Sequence, residues 1–153
     1  KVRTSIPDCS LTTDIIVGFP GETDSDFAEM LTFISEMHYD AAYTFLYSKR
    51  SGTPAATMEN QVPDDVKKNR LNKLMAVQNN ISLAINKSFM NKTVEVMVEG
   101  PSRTDENVYT GRTSSNKIIL WEKSGCEKAG DLLQVKITQP QTWVLKGEAC
   151  YAK

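Results

Sequence analysis

A short run with the makings of a ligand site, Val17-Gly18-Phe19-Pro20-Gly21-Glu22, lies near the start of the chain. The apolar run Ile15-Ile16-Val17 stops there, and a carboxylate follows two glycines. A run without polar alternation reads as a strand covered on both faces. The end of a buried parallel strand is where open α/β and barrel folds place their ligands. Gly18 and Gly21 permit backbone angles, or a close ligand approach, that a side chain would forbid. Val17 offers an apolar contact, and Glu22 offers a carboxylate to a ligand hydroxyl or to the loop itself. The same residues also suit a plain strand-to-helix turn, where glycine and proline serve geometry alone.

A second set is cationic and aromatic. Arg50 stands in the polar stretch Ser48 to Pro54, and a planar guanidinium there suits phosphate. Arg103, Arg112, Lys117 and Lys146 could form a basic patch, with Tyr109, Trp121 or Trp143 available for base stacking. For the tryptophans, burial in a small core is the stronger expectation. Lys67, Lys68, Arg70 and Lys73 interleave with acidic residues and read as a solvated face. The 153 residues carry 18 Lys and Arg against 19 Asp and Glu, a net charge of −1, so any RNA contact must come from a local patch.

Other chemistries find little support. Cys9, Cys126 and Cys150 are odd in number and far apart, which gives neither a metal pair nor a disulfide framework. His38 is the only histidine and falls where a helix pattern ends, a place that favours a cation. No apolar stretch is long enough to span a bilayer, and Lys1 to Pro7 lack the apolar core of a signal peptide. A cytoplasmic protein is expected.

Periodicity and turn residues give the secondary structure around these candidates. Thr23, with Asp26 three residues on, forms a capping-box pattern that opens a helix, and Phe27, Met30, Leu31, Ile34 and Met37 make its apolar stripe. Ala41 to Tyr47 is a second strand, so strand, helix and strand form a right-handed βαβ unit with both strand ends pointing the same way. That brings the Gly18 to Glu22 turn beside Ser48 to Pro54. A second helix opens at about Pro63 and carries Leu71, Leu74, Met75, Ile81, Ile85 and Phe89 to about residue 90. After Asn91 the period changes to two, with Val94, Val96 and Val98 inward. Further runs at Asn107 to Thr113, Lys117 to Glu122, Leu132 to Thr138 and Trp143 to Cys150, separated by turn signals, predict a small five-stranded antiparallel barrel. The fold class is α/β plus all-β: residues 1–62 as a partial (βα) unit, 63–90 as a long linking helix, and 91–153 as the barrel.

Four motifs in this order, T-D-I-I-V-G-F-P-G-E-T, Y-S-K-R-S-G-T-P-A-A, Q-V-P-D-D-V-K-K-N-R-L and G-R-T-S-S-N-K, give the chain a family resemblance. It resembles the carboxy-terminal half of the MiaB-type methylthiotransferases, which are radical S-adenosylmethionine enzymes. The resemblance implies that residues 1 to about 60 are the last strands of a partial (βα) barrel. It implies that residues from about 91 are an OB-like TRAM barrel that holds tRNA. By the same resemblance Val17, Gly18, Phe19, Pro20, Gly21 and Glu22 line S-adenosylmethionine, with Phe45, Tyr47 and Ser48 at its edge. Arg50, Arg103, Arg112, Lys117 and Lys146 are the RNA-binding candidates.

Within the family, Gly111 to Lys117 look more like the tRNA branch, which adds a methylthio group at carbon 2 of isopentenyl-modified adenosine beside the anticodon, than the branch that modifies a ribosomal-protein aspartate. The complete enzymes carry two [4Fe-4S] clusters on cysteine sets that this sequence lacks. The chain therefore reads as a fragment that binds neither cluster, with no catalytic or metal residues of its own and inactive without its amino-terminal domains. Its expected partners are the tRNA anticodon stem-loop and those domains, with no membrane, and a cut barrel predicts dimerisation through the Thr12 to Phe19 edge or through the apolar stripe of the long helix. A free-standing RNA-binding module and a ligand-free adaptor are the competing readings.

Overall fold

A computed structural model describes residues 1–151. By internal contacts the chain divides into two compact units, Leu11–Ser82 and Lys1–Ser10 with Leu83–Lys153.

In the first unit β1 (Thr12–Val17) and β2 (Ala41–Leu46) pair in parallel, from Thr12 with Ala41 to Val17 with Leu46. Helix α2 (Asp24–Met37) connects them. It starts on the expected capping box, in which the Asp26 amide donates to Thr23 Oγ1 and the Thr23 amide donates to Asp26 Oδ2 at 2.8 Å. It ends on His38 in the left-handed region, φ 50°, whose amide donates to the Ile34 carbonyl. Val17, Phe27, Ile34 and Leu74 form the core, with Ile15, Met30, Leu31, Leu46, Leu71, Val77 and Ile81 packed around them.

Burial of β1 and β2 on both faces is not what the structure shows. Ile16, Tyr43 and Phe45 are 54, 63 and 51 % exposed, because helices cover only the face that bears Ile15 and Val17. The polar connection that follows β2 contains one helical turn, α3 (Pro54–Thr57), with proline at its first position.

Helix α4 (Asp64–Lys87) has 24 residues and a length of about 36 Å. It stops short of residue 90, because a turn of the chain follows at Ser88, Phe89 and Met90. An apolar stripe is the expectation, yet its most buried line is mainly polar: Arg70, Leu74, Gln78, Ser82 and Asn86, at intervals of four residues. Met75, expected in the stripe, is 40 % exposed. The buried polar groups are matched to fixed backbone. Gln78 Nε2 donates to the Tyr39 carbonyl at 2.8 Å and Ser82 Oγ donates to that of Asp40 at 2.9 Å, while Asp40 Oδ2 accepts from the Leu11 amide at 3.0 Å. The boundary between the two units falls within this helix, after Ser82.

The second unit opens with the short helix α1 (Val2–Ser5) and contains a closed barrel of β3 (Thr93–Pro101), β4 (Val108–Arg112), β5 (Ile118–Glu122), β6 (Leu132–Pro140) and β7 (Leu145–Cys150), in the order β3-β4-β5-β7-β6. Four neighbouring pairs are antiparallel and β5 with β7 is parallel. A purely antiparallel ring is impossible for five strands, since an odd ring cannot alternate direction all the way round. Val96, Val98, Tyr109, Ile119, Trp121, Val135, Ile137 and Leu145 fill the interior. Gly111 faces β3 so closely that a Cβ there would collide with the Met97 carbonyl and the Val96 side chain, which gives the glycine of G-R-T a packing role.

The loop between β5 and β6 is tied by one buried carboxylate. Glu127 accepts from Trp121 Nε1 at 3.3 Å, from the amides of Ser124 and Gly125 at 3.1 and 3.0 Å, and from the Tyr151 hydroxyl. Burial opposes its charge, but these donors outweigh burial and lower the Glu127 pKa from 4.5 to about 2. The folded state therefore binds this proton less readily than the unfolded state. Glu127 contributes stability in full above pH 4.5, and the contribution is lost as pH falls from 4.5 towards about 2. Glu127→Gln should lower the melting temperature at pH 7 and flatten its dependence on pH between those limits, as read from thermal unfolding of both proteins.

Candidate functional site

The turn after β1 is held by a carboxylate that has both oxygens engaged. Gly18 and Gly21 have φ of 76° and 87°, in the region that favours glycine. These angles fold the chain back so that the Gly18 amide donates to Glu22 Oε2 at 3.0 Å and the Glu22 amide donates to the Phe19 carbonyl at 2.9 Å. Glu22 Oε1 accepts from Arg70 at 2.6 Å, and the same guanidinium reaches the Glu22 carbonyl at 3.1 Å and Asp24 at 2.8 Å. Of the two roles open to Glu22, fixing the loop is the one its contacts describe.

Arg70 is only 6 % exposed, which corrects its reading as part of a solvated face. Its guanidinium also lies 5.6 Å from the centroid of the Phe27 ring. Burial opposes its charge, but Asp24 and Glu22 more than offset that and hold its pKa above the ordinary value. Lys67 departs from the same reading. Its chain lies where a Cβ on Gly18 would fall, and its ammonium reaches Asp64 at 2.7 Å and the Tyr47 carbonyl at 3.4 Å. Lys68 and Lys73 are exposed. Nothing in the sequence pattern distinguished Arg70 from its neighbours except that it lies four residues before Leu74 on one helix face.

The Gly18 to Glu22 turn and the end of β2 are brought together. The Tyr47 amide donates to the Val17 carbonyl at 2.9 Å, and the Phe19 and Tyr47 rings meet edge to face at 5.2 Å. Phe19 remains 45 % exposed, while the Tyr47 hydroxyl is buried with no hydrogen-bond partner among the described residues. Val17 and Pro20 are buried, and Val17 belongs to the core. Phe45 stands on the open sheet face with Ile16. Ser48 and Arg50 are exposed, and Arg50 offers its carbonyl to the Thr53 amide and hydroxyl.

The barrel does not gather its four basic candidates into one patch. Arg112 and Lys146 lie on either side of β5, opposite Ile118 and Leu120. Arg112 Nε pairs with Glu99 at 2.8 Å and its Nη1 donates to Asn116 Oδ1 at 2.9 Å. Lys146 borders a groove of about 660 Å³ with Ser102, Thr104, Asp105, Glu122 and Glu148. Arg103 is exposed on the β3–β4 loop. Lys117 reaches Asn86 Oδ1 at 3.0 Å, and its ammonium lies 5.5 Å from the Phe89 centroid. Burial divides the aromatic candidates, since Tyr109 and Trp121 are core and Trp143 is 61 % exposed, against the expectation for a tryptophan.

Among the described residues, no three or more His, Cys, Asp or Glu side chains are grouped to hold a metal, and Cys9, Cys126 and Cys150 are free thiols. No helix among them is long and apolar enough to cross a membrane.

The geometry of the turn makes a direct prediction. Removing one partner from a mostly buried ion pair leaves the other uncompensated, so Arg70→Ala should destabilise this unit by about 3 kcal/mol in urea unfolding. Hydrogen exchange at the Gly18 amide should rise in the same variant.

Comparison with known proteins places this geometry in context. The TRAM domain family matches residues 87–150, a stretch that contains all five barrel strands. A tRNA-2-methylthio-N(6)-dimethylallyladenosine synthase of Acetivibrio thermocellus is 52 % identical over 147 residues, 96 % of this chain and 30 % of the relative. Synthases of the same name from Moorella thermoacetica and Alkaliphilus oremlandii are 50 and 52 % identical over 96 and 97 % of the chain, and over 33 and 31 % of their own length. The chain thus spans about a third of the length of the curated relatives it matches. Over the stretch it covers, which includes a TRAM domain, the chain belongs to the family of the tRNA-2-methylthio-N(6)-dimethylallyladenosine synthases, the MiaB-type methylthiotransferases.

Proposed function

We propose that this chain is the part of a tRNA methylthiotransferase that holds the tRNA anticodon stem-loop and supplies one wall of the S-adenosylmethionine site. The complete enzyme adds a methylthio group to carbon 2 of isopentenyl-adenosine beside the anticodon, in the cytoplasm, where tRNA is modified. The observation that carries this reading is the closed barrel of β3 to β7 inside the stretch that matches the TRAM family. In OB-like barrels the face of the second and third strands, with the loops after the first and fourth, binds oligonucleotides. Here those are β4 and β5 with the loops of residues 102–107 and 141–144, which carry Arg103, Arg112 and Trp143. The relatives' names favour tRNA over a ribosomal-protein aspartate as substrate, and an enzyme over a free-standing RNA module or an adaptor.

For S-adenosylmethionine, the fit rests on the buried Tyr47 hydroxyl, without a partner among the described residues, beside the exposed Phe19 ring. Tyr47 offers a hydrogen bond to the nucleoside and Phe19 an aromatic wall. Because Val17 is in the core, apolar contact with adenine falls to Ile16 and Phe45, while Gly18, Pro20, Gly21 and Glu22 set the shape of the turn. Ser48 and Arg50 border the same edge. When bound, S-adenosylmethionine supplies the methyl group and the C–H activation of such enzymes. The free thiols present do not fit an iron-sulfur cluster. The open face at Ile16, Tyr43 and Phe45 is the place for the longer relatives' remaining barrel strands, or for a second copy where those are missing.

The test is fluorescence anisotropy of this chain with an anticodon stem-loop RNA across a salt series. Affinity should fall linearly on logarithmic axes, and Arg112→Ala should reduce the slope by about 1. No binding even at low salt would contradict the reading.

A further inference from the structure

Of the two tryptophans, Trp121 is 2 % exposed inside the barrel and Trp143 is 61 % exposed on the β6–β7 loop. An indole left in water forgoes the burial that normally stabilises a small domain. The loop that presents it is nonetheless fixed. The Gln141 amide donates to the Val144 carbonyl at 2.9 Å. Asn86, itself only 6 % exposed, donates through Nδ2 to the Gln141 and Thr142 carbonyls at 2.7 and 3.1 Å. Its Oδ1 accepts from Lys117 Nζ at 3.0 Å. The ammonium groups of Lys117 and Lys92 lie 5.5 and 5.4 Å from the centroid of the same Phe89 ring. Both cations are thereby held at one aromatic ring, and Lys117 is joined through the Asn86 side chain to the loop that bears Trp143.

An exposed ring on a hydrogen-bonded loop, with that loop tied through Asn86 to a cation, is the arrangement that an unpaired base and its flanking phosphates require. We infer that Trp143 is the stacking platform for one unpaired base of an RNA loop, with Lys92 and Lys117 meeting the phosphates on either side. This rests on the barrel's role in holding RNA and adds a residue-level site to it. An apolar protein partner is the competing occupant of the ring, but such a partner would have no use for the two lysines.

The test uses this chain with an anticodon stem-loop RNA and a fully paired duplex of equal length, following tryptophan emission and anisotropy together. Because Trp121 is buried, quenching on binding reports Trp143. Trp143→Ala should weaken stem-loop binding about tenfold with an unchanged salt slope, and leave duplex binding as in the wild type. Trp143→Phe should recover most of the affinity, which separates loss of stacking from loss of fold. Lys92→Ala should lower the salt slope by about 1. Wild-type binding of the stem-loop matched by Trp143→Ala would overturn the platform while leaving the RNA reading intact. Wild-type failure to bind either RNA would overturn the RNA reading, and the platform with it.

Discussion

Helix α4 buries polar side chains at Arg70, Gln78, Ser82 and Asn86, and each must find its partner when the chain folds. A buried polar group left without one costs about 1–3 kcal/mol, comparable to the net worth of a well-packed core residue. The partners are mostly backbone carbonyls and carboxylates of loops: Glu22 and Asp24 after β1, Tyr39 and Asp40 before β2, Gln141 and Thr142 between β6 and β7. Apolar contacts would tolerate a shift of these loops by part of an ångström, whereas hydrogen bonds at 2.6 to 3.1 Å do not. Two of the loops so fixed carry the functional candidates. Arg70 Nε and Gln78 Oε1 stay unpaired among the described residues, so the matching is strong but not complete.

This constraint changes what the strand-end turn can do. Glu22 is the most obvious ligand group in the sequence, yet its carboxylate is engaged by the Gly18 amide and by Arg70. Its role is to hold a glycine turn in one geometry, which is how a fold pre-organises a binding wall without presenting a charge to the ligand. The groups proposed to meet a ligand are then Phe19, Ile16 and Phe45, which are aromatic or apolar, and the polar Tyr47 hydroxyl, Ser48 and Arg50. The barrel follows a similar logic. Buried Asn86 ties the Gln141 and Thr142 carbonyls of the loop on which Trp143 stands exposed.

Much of the architecture was legible because local signals and tertiary packing agreed. The capping box at Thr23 and Asp26, the parallel pairing of β1 with β2, and the alternation that buries Val96 and Val98 all follow period and turn chemistry. The failures share a different cause. Ile15-Ile16-Val17 reads as two-faced burial because periodicity reports apolar character, not what covers each face. Arg70 reads as a surface charge because its partners lie 46 and 48 residues away in the chain. Trp143 reads as core because composition carries no information on which indole the barrel can accommodate, and Trp121 already occupies that interior beside Tyr109. Long-range polar pairing was the part that the sequence concealed.

Hydrogen–deuterium exchange of this chain with and without an anticodon stem-loop RNA tests the account most directly, because it reads the fixed loops and the RNA surface in one experiment. The amides of Gly18, Gly21 and Glu22, each bonded to a fixed acceptor, should be protected in the free protein and unchanged by RNA. Residues 102–107, 113–117 and 141–144 should gain protection when RNA is added. RNA-dependent protection confined to the strand-end turn, or absent from all three barrel loops, would contradict it.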